Sequence, residues 1–415
     1  MTEFKFDKWV ELYAHRTASM KSSGIRDLLS VTARPDIISL AGGLPYTRLF
    51  RFEKVVEATE HAMQREGSAA LQYGPSEGHK GLKKHIIKLM EEEGIKVDFD
   101  DILVTDGAQQ ALDLLSKIFI NPGDKIIVEA PSYVGALNAF ASYEANIVSI
   151  PLDKDGLQVD LLQETLEEFT KKGEVLKFIY LVPNFHNPAG VTLSLKRREH
   201  LLSLAREHGL IVVEDNAYGR LRFEGEDIKN LKAMDDSVIY VGTFSKIFSP
   251  GLRLGWVVAP KPILEKLIFA KQAADLCSSS FAQRVVEEYF THNLWKRHIE
   301  KLVEIYRSRR DAMLQALEEF FPDEVRWTKP QGGFFVWVAL PEYVDTTEML
   351  AEAISEKVAY VPGRGFFADA SGKNYMRLAF CYPEEEVIHE GIKRLSKVVK
   401  RYIILYKSVA KKLHL

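Results

Sequence analysis

The chain has 415 residues, 46% of them apolar and 27% charged, the balance of a soluble globular protein and not of a disordered or fibrous one. At roughly 150 residues per domain it holds two or three domains. Fifty-five Lys and Arg against 58 Asp and Glu leave a formal charge of −3, which removes the basic footprint of a nucleic-acid binder. Cys277 and Cys381 are too few and too far apart for a disulfide framework or a thiolate zinc site, and they suit a reducing, cytoplasmic compartment. The mixed charges of residues 1–10 read as no signal peptide, and no apolar run reaches the about 18 residues of a membrane span.

In chain order, the pattern predicts an opening helix over 6–13, a polar link at 22–24, a short helix over 25–31 and an extended 37–40. The paired glycines and proline of Ala41-Gly42-Gly43-Leu44-Pro45 then break regular structure. Short β-branched runs come next at 102–104, 125–128, 147–150, 178–182, 210–213, 238–241 and 254–258, with helical periods such as 112–118, 161–170 and 197–208 between them. Such alternation predicts an α/β domain with a mostly parallel sheet. After Ala282 the pattern changes to one long helix over 284–320, strands at 325–327, 333–338 and 375–380, and a helix over 347–356, which is a smaller α+β domain. The boundaries expected are an arm over 1–45, a large domain over 46–295 and a small one over 296–415. From Gly391 to Leu415 there are eight Lys/Arg and no acid, with one apolar stripe. A final helix packed on the small domain explains this more simply than a membrane-surface helix.

Ligands of an α/β sheet collect beyond the carboxyl ends of its strands, so the residues there carry the chemistry. After the first strand comes Asp106-Gly107-Ala108-Gln109, where a glycine at a strand-to-helix turn leaves amides free for a phosphate. After 178–182 come Asn187-Pro188-Ala189-Gly190, an amide enclosed by prolines, with a cis bond before Pro188 one way to make the turn. After 210–213 comes Asp215, which at a buried strand end needs a cationic partner. After 238–241 come Thr243, Ser245, Lys246 and Arg253. A lysine among Phe244, Ile247 and Phe248 is partly desolvated, which makes its amine a nucleophile, and an arginine seven residues on can grip a phosphate. A reactive amine, a phosphate cradle, a carboxylate and an amide suit one cofactor, pyridoxal phosphate, held as a Schiff base on lysine with a carboxylate at its ring nitrogen. Tyr133 could stack on the ring, and Arg377 could clamp a substrate carboxylate.

Ser245-Lys246 through Pro250-Gly251-Leu252-Arg253-Leu254-Gly255, with Asn187-Pro188-Ala189-Gly190 upstream, resembles class I/II aminotransferases of pyridoxal-phosphate fold type I. Gly24-Ile25-Arg26, Ala41-Gly42-Gly43-Leu44-Pro45 and Leu71-Gln72-Tyr73-Gly74 resemble the branch of 2-aminoadipate and kynurenine aminotransferases. The resemblance implies that Lys246 holds the cofactor and shuttles the substrate proton, and that Asp215 pairs with the pyridine nitrogen. It implies that Asn187 and Tyr218 bond the ring oxygen, and that Tyr133 stacks on the ring. Ala108 and Gln109, at the helix opened by Gly107, would hold the phosphate with Thr243 or Ser245 and Arg253. Tyr73 would reach the phosphate of a neighbouring subunit in a homodimer. Arg377, helped by the backbone near Gly43, would bind the α-carboxylate, and Arg26 would cover the substrate side chain. His186 stands where relatives often have Gln, and Ala108 where Ser is common.

The reaction so implied is ping-pong transfer of an amino group from an amino acid to a 2-oxo acid, 2-oxoglutarate foremost, with no metal. The donor side chain (2-aminoadipate, glutamate, aromatic or aliphatic) stays open. A lyase or decarboxylase using the same Lys246, Asp215 and Arg253 is the alternative. Gly363-Arg364-Gly365-Phe366-Phe367-Ala368 also fits a dinucleotide fingerprint, but Ala368-Asp369-Ala370-Ser371-Gly372 cannot begin a long helix.

Overall fold

Where the sequence offers β-branched runs bounded by glycine and proline, the computed structural model, which describes residues 7–18, 20, 34–293 and 295–413 (409–413 by backbone alone), places strands. In chain order they are β1 (Ile38–Ser39), β2 (Ile102–Thr105), β3 (Lys125–Ala130), β4 (Asn146–Asp153), β5 (Gly156–Leu157), β6 (Leu176–Leu181), β7 (Ile211–Asp215) and β8 (Ile239–Thr243). The rest are β9 (Gly255–Val258), β10 (Arg326–Trp327), β11 (Phe335–Ala339), β12 (Val358–Ala359), β13 (Val361–Pro362) and β14 (Tyr375–Ala379).

Eight of these form one sheet in the order β2-β9-β8-β7-β6-β3-β4-β5. Its centre is parallel, β4 with β3, β3 with β6, β6 with β7 and β7 with β8. Helices cover both faces, which is why these strands read as near-continuous apolar runs. β9 runs antiparallel to β2 and β8, and β5 folds back on β4 as a short hairpin. From β3 the chain moves outward to β4, then returns to β6 on the other side. The crevice between the carboxyl ends of β3 and β6 is therefore a topological switch point, where such sheets bind ligands.

The second sheet, order β10-β11-β14-β13, is antiparallel and lies against helices Trp295–Phe320, Thr346–Ser355 and Glu385–Leu413. This is the α+β unit, smaller than the α/β unit before it. β1 pairs in parallel with β12 and ties the N-terminal segment to it; the Leu40 amide donates to Ala359 O, and Leu40 O accepts from the Ala379 amide. That clamp carries Ala41 to Gly43 to the edge of the large sheet.

Several expected elements differ. The helix predicted over 284–320 is two, Ser280–His292 and Trp295–Phe320, interrupted where Asn293 takes an extended backbone. A periodic pattern on each side hid the break. Of the opening helix, the described residues hold a three-residue 3-10 turn, Val10–Leu12. The link at 22–24 and the helix at 25–31 lie outside the described residues. The segment Gly363–Phe366 is a 3-10 turn leading into irregular chain, so the dinucleotide reading has no helix to rest on. The last helix buries Ile388, Ile392, Leu395, Val399 and Ile403 on the small domain, as the simpler reading expected. No helix among the described residues is long and apolar enough to cross a membrane.

Candidate active site

A cavity of about 400 Å³ opens at the carboxyl ends of β3, β6, β7 and β8, walled on its far side by Phe335 of β11 and Arg377 of β14. Gly43, Ala108, Gln109, Tyr133, Asn187, Asp215, Tyr218, Thr243, Ser245, Lys246, Arg253 and Arg377 all line it, so twelve residues singled out from the sequence meet in one place.

Lys246 projects from the loop after β8, half-buried, its Nζ donating to Gly43 O at 3.1 Å and 5.5 Å above the Phe334 ring. Burial pulls its amine down to about 8, with Arg377 and Arg253 adding repulsion and Cys381 and Asp215 opposing them. Asp215 ends β7 and is 4% exposed; its Oδ2 accepts from Tyr180 Oη at 2.8 Å, while Oδ1 is buried with no hydrogen-bond partner. Burial pushes the carboxyl up to about 6, against the pull of the Tyr180 hydroxyl, the Ala217 amide and Lys246. A buried carboxylate oxygen with nothing to accept is costly, and it fits a cationic ring N–H.

At the other end lies an anion cradle. The helix Gly107–Phe119 begins here with no side-chain cap, so its first amides have no intrahelical acceptor. Gly107 (φ +75°) brings that turn against Arg253: a Cβ there would lie 2.6 Å from Arg253 Nη2. Gly255 permits the matching approach, since its Cβ would lie 2.9 Å from the Ala108 nitrogen. Arg253 itself is left-handed (φ +54°), with its guanidinium anchored on Asp106 O and Pro250 O. Thr243 Oγ1 accepts the Ser245 amide and donates to Ser245 Oγ at 3.0 Å. Free amides, two hydroxyls and a guanidinium fit a phosphate dianion.

Arg377 is 4% exposed and donates to neutral acceptors, Asn187 Oδ1 at 2.9 Å and Ala41 O at 2.7 Å, with Phe335 and Phe366 stacked 4.2 and 5.1 Å from its guanidinium. Its Nε has no partner, and burial lowers its pKa to about 10. A buried cation without a carboxylate fits an incoming one. Asn187 follows a strand through a loop whose Asn187-Pro188 bond is cis, and its Nδ2 lies 3.4 Å from Tyr218 Oη. Tyr133 rises beside the cavity because position 135 is glycine; a Cβ there would meet the Tyr133 hydroxyl at 2.5 Å.

Three predicted residues lie elsewhere. Gly107 sits behind the cradle and shapes it without lining the cavity. Tyr73 is 78% exposed and apart from it. Arg26 lies outside the described residues. Conversely Tyr180, Phe335 and Asn138 were not foreseen. Tyr180 carried one signal, a hydroxyl near the end of an otherwise apolar strand.

The fold and this cavity define a protein of the pyridoxal-phosphate type. Residues 35–395 match the family model for aminotransferase class I and II, and the chain belongs to that family. It is 49% identical over 391 residues, 94% of each chain, to aromatic-amino-acid aminotransferase 1 of Thermococcus litoralis. The crystal structure of Pyrococcus horikoshii kynurenine aminotransferase in complex with PMP superposes with a TM-score of 0.90 at 46% identity, covering 94% of this chain and 98% of that one. Alpha-aminoadipate aminotransferase of Thermus thermophilus, complexed with N-(5'-phosphopyridoxyl)-L-leucine, gives 0.89 at 37% identity, covering 96% and 100%. The chain is therefore an aminotransferase and its cofactor is pyridoxal phosphate; these relatives give no support to the lyase alternative.

Proposed function

We propose that the enzyme takes the amino group of aromatic amino acids and passes it to 2-oxoglutarate. The observation that carries the donor class is the cavity wall. Among the described residues it holds three cations, Lys246, Arg253 and Arg377, each matched to the amine, phosphate or α-carboxylate end. What remains for the side chain is Val134, Gly135, Asn138 and Phe335, an apolar surface with one amide. The names of the relatives from Thermococcus litoralis and Pyrococcus horikoshii agree with it.

When bound, pyridoxal phosphate supplies a cationic ring that takes up the electron pair left at the substrate Cα. Asp215 would hold the ring proton through its unpartnered Oδ1, the cation opposing the burial that raises this carboxyl. Lys246 is the amine that holds the cofactor at rest; released, its Nζ accepts the Cα proton and later returns it, a task suited to an amine near pH 8. Tyr133 would stack on the ring, and Asn187 and Tyr218 would bond its oxygen. Ala108, Gln109, Thr243, Ser245 and Arg253 would form the phosphate site, with Gly107 behind them shaping the turn. Arg377 orients the α-carboxylate with Asn187 and the Gly43 backbone, and the buried Phe334, Phe335 and Tyr218 keep water from the reacting carbon.

A homodimer accounts for Tyr73, whose exposed ring is then offered to the partner's phosphate. The domain division that goes with this reading is an N-terminal arm, 1–45, contributing to the small domain and the substrate cover, a large domain, 46–295, and a small one, 296–415. The compartment is the cytoplasm, where Cys277 and Cys381, both free thiols, stay reduced. Arg26, outside the described residues, is the arginine assigned here to the distal carboxylate of 2-oxoglutarate. Steady-state kinetics with phenylalanine, tyrosine, leucine and 2-aminoadipate as donors tests the reading. The aromatic pair should show the highest kcat/KM, and Arg26→Ala should raise KM for 2-oxoglutarate at least tenfold while changing that for phenylalanine less than twofold. A preference for leucine or 2-aminoadipate, or equal effects of Arg26→Ala on both substrates, would overturn it.

A further inference from the structure

The helices Phe52–Ala70 and Ser280–His292 pack along each other and bring together two histidines and a carboxylate that do not line the cavity. Glu288 and His292 are one turn apart, with Glu288 Oε2 3.2 Å from His292 Nε2. His61 faces them from the other helix, its ring 5.3 Å from that of His292. One donor atom from each of His61, Glu288 and His292 lies within 4.8 Å of the others. We propose that these three residues form a surface site for a borderline divalent ion such as Zn²⁺, pinning the two helices together.

The donor chemistry selects the ion. Two imidazoles and one carboxylate, with a fourth position open to water, make up a familiar tetrahedral zinc set. Ligands about 2.0–2.1 Å from zinc stand roughly 3.3 Å apart, a spacing the Glu288–His292 pair already has. His61 and His292 are exposed, so their rings are free to close the remaining gap. Glu288 is different: it is 2% exposed, with Arg65 Nη1 2.5 Å from its other oxygen Oε1 as an ion pair without hydrogen-bond geometry. That pairing engages Oε1 and leaves Oε2 beside the histidines. Calcium and magnesium take about six or more oxygen ligands, which two imidazoles and one carboxylate do not supply, so an ion bound through imidazole nitrogen is favoured. The pinned helix Phe52–Ala70 leads directly into the segment bearing Tyr73.

The test is calorimetric titration of chelator-treated holoenzyme with ZnCl₂ alone, on wild type and on His61→Ala and His292→Ala. Both substitutions are at exposed positions and should leave the fold intact, which unchanged circular dichroism and aminotransferase turnover will verify. One equivalent per chain is expected in the wild type, at least tenfold weaker in each variant, with zinc raising Tm in the wild type alone. No saturable binding in the wild type, or binding retained in either variant, overturns the assignment.

Discussion

Replacing Asp215 with asparagine keeps the shape of the side chain and removes its charge, so it separates what that charge costs from what it does. In the chain without cofactor, Oδ1 has no partner and burial lifts the carboxyl from the ordinary 3.8 to about 6. A displacement of that size corresponds to roughly 3 kcal/mol against the ionised form. The folded value lies above the unfolded one, so the penalty is absent below 3.8, grows between 3.8 and about 6, and is complete above that. The substituted amide can still accept from Tyr180, but it carries a desolvation cost of its own, about 1–2 kcal/mol. The apo form of D215N should therefore be about 1–2 kcal/mol more stable than apo wild type near neutral pH, and the order should reverse near pH 4, where wild type no longer carries its penalty and the variant keeps its own desolvation cost. With cofactor bound the balance reverses. Removing one partner of a buried ion pair costs about 3–5 kcal/mol, which, if lost in the transition state, slows turnover by roughly 10²- to 10⁴-fold. Denaturant unfolding of both apo proteins at the two pH values, alongside kcat of the loaded enzymes, checks the argument. An apo variant less stable than wild type near neutral pH, or turnover within fivefold of wild type, would falsify it.

Arg377→Lys keeps the charge and loses the two-pronged contact to a carboxylate, so KM for the amino donor should rise roughly 10- to 100-fold, the equivalent of about 1.5–3 kcal/mol, with little change in Tm; an unchanged KM would assign the clamp elsewhere. Gly107→Ala drives a Cβ to 2.6 Å from Arg253 Nη2 at a φ of +75°, so cofactor affinity should fall and stability drop by about 1–3 kcal/mol, read by equilibrium dialysis and thermal melts. Lys246, with its amine near 8, should load cofactor onto apoenzyme at a rate that rises with pH and levels off above about 8; a rise continuing to pH 10 would place the amine in water.

Much of this site was legible because strand ends are short in sequence and rich in chemistry. Asp215, Asn187 and Lys246 each come after an apolar run within a few residues, so strand assignment alone delivered them to one sheet edge. Glycines carried the cradle for the same reason: Gly107 and Gly255 stand where two backbones must nearly touch. The features that stayed hidden depend on distance in the chain. Tyr180 reaches Asp215 across 35 positions and two strands, and nothing in its own run of Leu and Ile marks the partner. Phe335 faces the cavity only because β11 and β14 form the opposite wall, a relation between domains that periodicity does not encode. The break at Asn293 escaped because both flanking segments keep a helical period, and the antiparallel setting of β9 because direction leaves no trace in a strand's composition.

The central claim is that Lys246 holds pyridoxal phosphate and passes through a half-cycle with an amino donor. Its most direct test is the absorption spectrum of the purified protein before and after adding phenylalanine, with Lys246→Ala in parallel. The wild type should show a near-visible band that bleaches with phenylalanine and returns with 2-oxoglutarate, and Lys246→Ala should lack that exchange. An unchanged band in the wild type, or the same bleaching and return in Lys246→Ala, would contradict it.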